Sequence, residues 1–214
     1  GQRVAAPHPN FRQGLRIVTP MVRLITPTDI MPMTEYGKIR RTHRQRLVEK
    51  KRHRRINIGP YVTLYFENYD TMWAQVHEML YIERGGEAQL EGELAAYNPL
   101  IPRGDELVAT MMIEIEDEAV RRRVLAQLGH IEDTVFLKFG SDKVTAVPES
   151  DIERTTAEGK TSSVHFLRFS FNAPQQAAFK AVGTEVVAGI GHAKYAHMAV
   201  LPEEMRASLA GDFS

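Results

Sequence analysis

Between Lys38 and Arg55 the chain carries ten Lys or Arg residues, two histidines and a single acid, Glu49. Ionised side chains are almost never buried unless paired, so any fold must hold this stretch at a surface or against acids from elsewhere. The segment's net +9 is matched by −9 over the rest of a formally neutral chain, so the molecule is expected to be strongly polarised. Thr34 is placed to cap a helix beginning at Glu35, in which Tyr36, Ile39, His43 and Leu47 recur at helical steps and form one apolar face. The basic residues take the remaining arc, and the helix is expected to run to about Arg55, before the Gly59-Pro60 stop.

With 214 residues and 43% apolar content, the chain can build one full-sized core. The expectation is a single α+β domain over 21–214 behind a flexible tail over 1–20. Met21 follows that tail, which reads either as an over-extended start with Met21 the initiator or as an ordinary flexible terminus; His8 is set aside with it. Cysteine is absent, which removes disulfides, zinc ribbons, thiolate-bound clusters and cysteine nucleophiles. No apolar run approaches the roughly 18 residues of a membrane span, and no signal-peptide pattern opens the chain. A cytoplasmic protein without a membrane partner is expected.

Beyond the basic helix, Tyr61 to Glu67 alternates as a strand. A helix from Asp70 gathers Met72, Val76, Met79, Leu80 and Glu83 on one face, and Glu87 to Tyr97 forms another. Glu106–Glu116 reads as a strand and 117–129 as a helix capped by Asp117. Segments 134–139 and 143–147 form a hairpin, and a polar loop covers 149–160. Ser162–Phe171 is a strand, a short helix starts at Pro174, glycine-rich strands cover 185–200, and Pro202 opens a last helix. Without a regular βαβ beat, this is α+β with a mostly antiparallel sheet packed with helices.

The segments LEGELAAYNPLIP, ELVATMMIEIEDEAVRRRVLAQLGHIED, TSSVHFLRFSF and GHAKYAHMAVLP resemble the bacterial domain of unknown function 3501 family. MTEYGKIRR and INIGPYVTLYFENYDTMWAQVHEML extend the likeness over roughly Val22 to Leu209. The resemblance brings no established activity. It implies a setting in redox or iron metabolism, with a rubrerythrin-like or iron–sulfur oxidoreductase-like protein as partner. Relatives more usually carry glutamine where this chain has His77, which argues against His77 as an essential ligand.

Three groups of residues could carry chemistry. Arg40, Arg41, Arg44, Lys51, Arg52, Arg54 and Arg55 have too few local acids to be paired within their own segment, and guanidinium forks suit carboxylate or phosphate. They read as one half of an internal or inter-subunit charge pairing, as a small-anion site, or as a nucleic-acid surface. The last lacks interleaved aromatics and any reader motif. His192 and His197, with His165, could hold Zn or Fe with Glu83, Glu78 or Asp70 as a carboxylate ligand, provided the chain turns near Ala193-Lys194; the alternative is ordinary hydrogen-bonded histidines. Glu83, a carboxylate on an apolar helix face among Glu87, Glu91 and Glu93, calls for a partner: an arginine of the basic helix, a metal, or a proton to move.

Readable enzyme signatures are missing. His77-Glu78 lacks the second histidine of the metalloprotease helix, no Glu-x-x-His occurs, and neither a phosphate-cradling loop nor a dinucleotide fingerprint is present. Ser162 and Ser163 beside His165 lie on a strand and make a weak nucleophile site. The leading expectation is therefore a non-catalytic accessory or binding protein that presents the basic helix to an acidic partner or small anion. A metal protein using His192 and His197 is the alternative, nucleic-acid binding a second.

Overall fold

Alternating apolar residues build two antiparallel sheets in the computed structural model, which describes residues 22–150 and 153–214. The expected tail over 1–20 and Met21 lie outside the described residues. The first sheet runs in the order β1 (Arg55–Ile58), β2 (Val62–Glu67), β3 (Glu106–Ile113), β7 (Val164–Ser170) and β6 (Val147–Pro148). The second runs β5 (Asp142–Thr145), β4 (Val135–Phe139), β8 (Val186–His192) and β9 (Tyr195–Val200). Every neighbouring pair is antiparallel.

One core takes the inward residues of both sheets: Leu64 and Phe66, Leu107 and Met111, and Leu167 and Phe169 from the first, Leu137 and Phe139, and Ala188 and Ile190 from the second. Each large side chain fully withdrawn from water contributes about 1.5–3 kcal/mol. Helices α5 (Ala173–Lys180) and α6 (Glu203–Ala210) close this core, where Phe139, Phe171, Phe179 and Phe213 pack with ring centroids 4.8–5.6 Å apart.

The other face of the first sheet is covered by helices α1 (Met33–Arg52), α2 (Tyr69–Glu83) and α3 (Gly86–Tyr97). Met72, Val76 and Leu80 of α2 pack with Val108 and Phe166 of the sheet. Because β3 is covered on both faces, its sequence ELVATMMI reads as nearly continuous apolar rather than alternating. Asn68 starts α2, since its side chain accepts from Thr71 N while Thr71 Oγ1 accepts from Asn68 N. Helix α4 (Glu118–Leu125) is capped by Asp117, as expected.

The basic segment departs from expectation in three ways. Its helix starts two residues earlier, with Pro32 at the cap rather than Thr34, because Glu35 N and Tyr36 N both donate to the Pro32 carbonyl. It stops at Arg52, and Arg55–Ile58 becomes a strand in which Ile56 and Ile58 turn inward while Arg55 and Asn57 face out. Ile39 is exposed, and Arg40 joins Tyr36, His43 and Leu47 on the face toward the core.

Candidate functional site

The inner face of α1 meets α2 through one carboxylate. Tyr36, fully buried, donates its hydroxyl to Glu78 Oε1 at 2.7 Å. Arg40 grips both oxygens, Nε to Oε1 at 3.0 Å and Nη2 to Oε2 at 2.9 Å, with its guanidinium 4.7 Å from the Tyr81 ring centre. The Arg40 bonds hold Glu78 below the usual carboxylate range, although burial pulls the other way. Burial, and then the Glu78 bond, push the Tyr36 phenol up.

A pH dependence follows. A carboxylate whose folded pKa is depressed stabilises the fold above its unfolded pKa, about 4.5, and that stabilisation is lost as pH falls through the folded value. Glu78→Gln should therefore be less stable than the parent at neutral pH. The gap should close below about pH 4.5, as read by urea unfolding across pH.

This is the ion pair that the sequence suggested for Glu83. Glu83 instead ends α2 in solvent and accepts from Gln89 Nε2 at 3.1 Å, so it is neither buried nor bound to an arginine of the basic helix.

The remaining acids near α1 are already taken. Glu35 pairs with Lys38, Asp70 with Lys50, Glu49 with Arg52, and Asp212 with Arg54. The first three pairs are exposed and contribute little. Arg54 is sealed inside, so it belongs to the core and not to a binding surface. Arg41, Arg44, Arg46, Lys51 and Arg55 have no carboxylate within ion-pair distance among the described residues. On α1, Arg41, Arg44 and Arg52 fall within about 80° of arc, with Val48, 63% exposed, in their midst.

Lys51 turns toward a cavity of about 490 Å³ between α2 and the outer face of the first sheet. The Glu67 carboxylate lies there and accepts from Thr71 Oγ1 at 2.6 Å and Thr110 Oγ1 at 3.0 Å. A larger, mostly apolar groove of about 640 Å³ runs between the start of α1 and the end of α2, with Met31, Tyr81 and Leu90 in its walls.

The histidines are spread out. Ala193-Lys194 does make the turn between β8 and β9. Even so, His192 is engaged with the backbone, Nε2 donating to Gly129 O at 3.0 Å and Nδ1 accepting from Lys194 N at 3.0 Å. His197 packs on the Tyr195 ring with centroids 4.5 Å apart. His165 is buried in β7. No three of His165, His192, His197 and Glu83 bring ligand atoms together among the described residues. His77 is likewise satisfied, Nδ1 donating to Trp73 O and Nε2 accepting from Met31 N. Sequence reasoning passed over His130, Glu132 and Asp133, although the run HIED after Gly129 was a visible local cluster of ligand-type residues.

Two antiparallel sheets on a shared core, with a helical cover that carries a basic edge, define an α+β protein. The chain belongs to the family described as a protein of unknown function (DUF3501), whose model matches residues 24–213. It is similar to a solved structure of a novel protein of unknown function from Burkholderia pseudomallei K96243. That likeness has a TM-score of 0.83 and 39% identity, and it covers 90% of this chain and 100% of that one. No curated protein matches. No helix of the described residues is long and apolar enough to cross a membrane.

Proposed function

We propose that this protein is a non-catalytic binding module that docks the exposed edge of α1 on an acidic protein surface. The observation that carries this reading is the set of cations on that edge after folding: Arg41 and Arg44 are exposed and without acidic partners among the described residues, and Arg52 beside them makes only an exposed pair with Glu49, while Glu78 and Asp70 are engaged by Arg40 and Lys50. From Arg41 to Arg52 the edge extends about 16 Å at the helical rise, too long for one small anion. The exposed Val48 at its centre suits a protein interface, where an apolar middle is ringed by charge, better than a phosphate backbone. A rubrerythrin-like or iron–sulfur oxidoreductase-like protein, as the family resemblance implies, is the partner class to present first.

A labelled decaglutamate peptide is a simple probe. Its affinity should fall as salt rises and should drop at least tenfold in Arg41→Glu/Arg44→Glu. The same double variant should unfold within about 0.5 kcal/mol of the parent, since both side chains are exposed and unpaired. Tighter binding of a duplex DNA of similar length, with a steep salt slope, would transfer the surface to nucleic acid. Binding of neither probe would overturn the reading.

A further inference from the structure

A buried acceptor in the turn between α4 and β4 faces a buried ring nitrogen of β7, and neither has a hydrogen-bond partner. The turn is pinned on several sides. His130, at φ 64°, sits in the left-handed region that non-glycine residues seldom adopt, and its N–H donates to Thr155 Oγ1 at 3.1 Å. The Gly129 carbonyl accepts from His192 Nε2, and the chain at Gly159 passes so close that a Cβ on Gly129 would lie 2.5 Å from its carbonyl oxygen. This geometry drives Ile131 and Glu132 inward and leaves His130 and Asp133 in solvent.

Glu132 is 7% exposed and its Oε2 has no hydrogen-bond partner. An unmet buried carboxylate oxygen is costly, so the surroundings should offer it a donor or a cation. What faces it is His165 Nδ1 at 3.8 Å, in a ring only 1% exposed and also without a partner at that nitrogen. The tautomer follows from the other side of the ring: Nε2 lies 2.9 Å from Thr161 Oγ1, which can donate or accept, and 2.8 Å from the Ser162 carbonyl, which can only accept, so Nε2 carries the hydrogen and Nδ1 of the neutral ring bears a lone pair. A separation of 3.8 Å is too long for a hydrogen bond. It is the distance between two ligands that each lie about 2.0–2.2 Å from one ion, at an angle of about 120–140°.

Further donors stand beside this pair. His130, Glu132 and Asp133 place one ligand atom each within 4.8 Å of one another, and His130 Nδ1 is 3.8 Å from Asp133 Oδ2. His165 stands outside that group of three, so the exposed His130 and Asp133 side chains must turn toward Glu132 and His165 for all four to share one ion, and nothing buries either of them against doing so.

We propose that His130, Glu132, Asp133 and His165 form a site for one divalent transition-metal ion, Zn²⁺ or Fe²⁺, in which Glu132 joins the buried histidine to the exposed pair. Two imidazoles with two carboxylates and no thiolate suit these borderline ions better than Ca²⁺ or Mg²⁺, which prefer all-oxygen shells. The Ser162 carbonyl orients His165 as an outer-shell group, and His192 is a positioning residue that holds Gly129 and hence the turn.

The test uses the full chain without a histidine tag, stripped with chelator and titrated with Co²⁺ followed by its visible absorption, and with Zn²⁺ followed by calorimetry. One ion per chain is expected. Affinity should fall at least tenfold in His130→Ala/Asp133→Ala, whose exposed side chains can be removed without disturbing the fold, and at least a hundredfold in Glu132→Gln and in His165→Gln. Apo Glu132→Gln should unfold no more readily than the apo parent, because it removes an unpartnered buried charge, which separates ligand loss from misfolding. His197→Ala should bind as the parent does. The proposal is overturned by a parent that takes up neither ion at 100 µM, by Co²⁺ spectra that His130→Ala/Asp133→Ala and Glu132→Gln leave unchanged, or by loss of binding in His197→Ala alone.

Discussion

Arg54→Met is expected to lose about 3–5 kcal/mol of folding stability, the usual consequence of removing one member of a buried ion pair. Arg54 and Asp212 have side chains only 6% and 9% exposed, with Nη2 to Oδ2 at 2.6 Å and Nη1 to Oδ1 at 3.2 Å. The same guanidinium donates to the Phe66 carbonyl at 3.0 Å and the Glu67 carbonyl at 3.1 Å, tying the end of α1 and the edge of β2 to the C-terminal segment. Burial already pushes the Asp212 carboxyl above its ordinary range against the pull of Arg54. Without the arginine it rises further. A folded state that holds its proton more tightly than the unfolded chain gains stability as pH falls, so the variant's deficit should be larger at pH 7 than at about pH 5. Lysine should not rescue it, because a single ammonium cannot reach the carboxylate and both carbonyls at once. Urea unfolding followed by circular dichroism at the two pH values measures this, and a deficit below about 1 kcal/mol at pH 7 would show the pair to be dispensable. Arg54 is enclosed, so decaglutamate affinity of the folded variant should match the parent.

Periodic signals made much of this fold legible. Strands β2 and β7 and helix α2 lie close to where alternation and the helical period put them, since each buries one regular face. Strand β1 was hidden because its four residues, RINI, adjoin a run of cations that reads as more helix, and only pairing with β2 makes the alternation of Ile56 and Ile58 count. The Glu83 error has a similar origin. Helical spacing puts Glu83 on the apolar stripe and Glu78 about 140° away from it, but α2 ends at Glu83 and Arg84 turns left-handed, so the last carboxylate has no neighbouring helix to bury it. Which of two acids meets Arg40 depends on how α1 crosses α2, and that is a tertiary fact. The His165–Glu132 contact is less legible still. It joins a strand to a turn more than thirty residues away, and no local spacing encodes it.

Tyr195→Phe is expected to cost about 2–4 kcal/mol, although it deletes one oxygen and leaves the ring in place. That hydroxyl accepts from Tyr61 N at 3.0 Å and Val62 N at 3.1 Å and donates to the Ile58 carbonyl, so the turn linking β1 and β2 in one sheet closes on a side chain from β9 in the other. The turn is seated tightly: Gly59 has φ +72°, and a Cβ there would lie 2.6 Å from both the Tyr195 hydroxyl and the His197 ring. Phenylalanine leaves the Val62 N–H and the Ile58 carbonyl, both from buried residues, without that partner, while Tyr61 N, half-buried, can turn to water. Burial raises the Tyr195 phenol, so it stays protonated well into alkaline solution and the defect should not vary with pH around neutrality. Thermal unfolding reads the cost, and amide hydrogen exchange localises it, with lost protection expected at Tyr61 and Val62. Unchanged protection at those two amides would place the joint between the sheets elsewhere. The hydroxyl acts where β9 meets the first sheet, whereas the proposed ion sits beyond His192 at the end of β8, so Co²⁺ uptake by folded Tyr195→Phe should equal that of the parent.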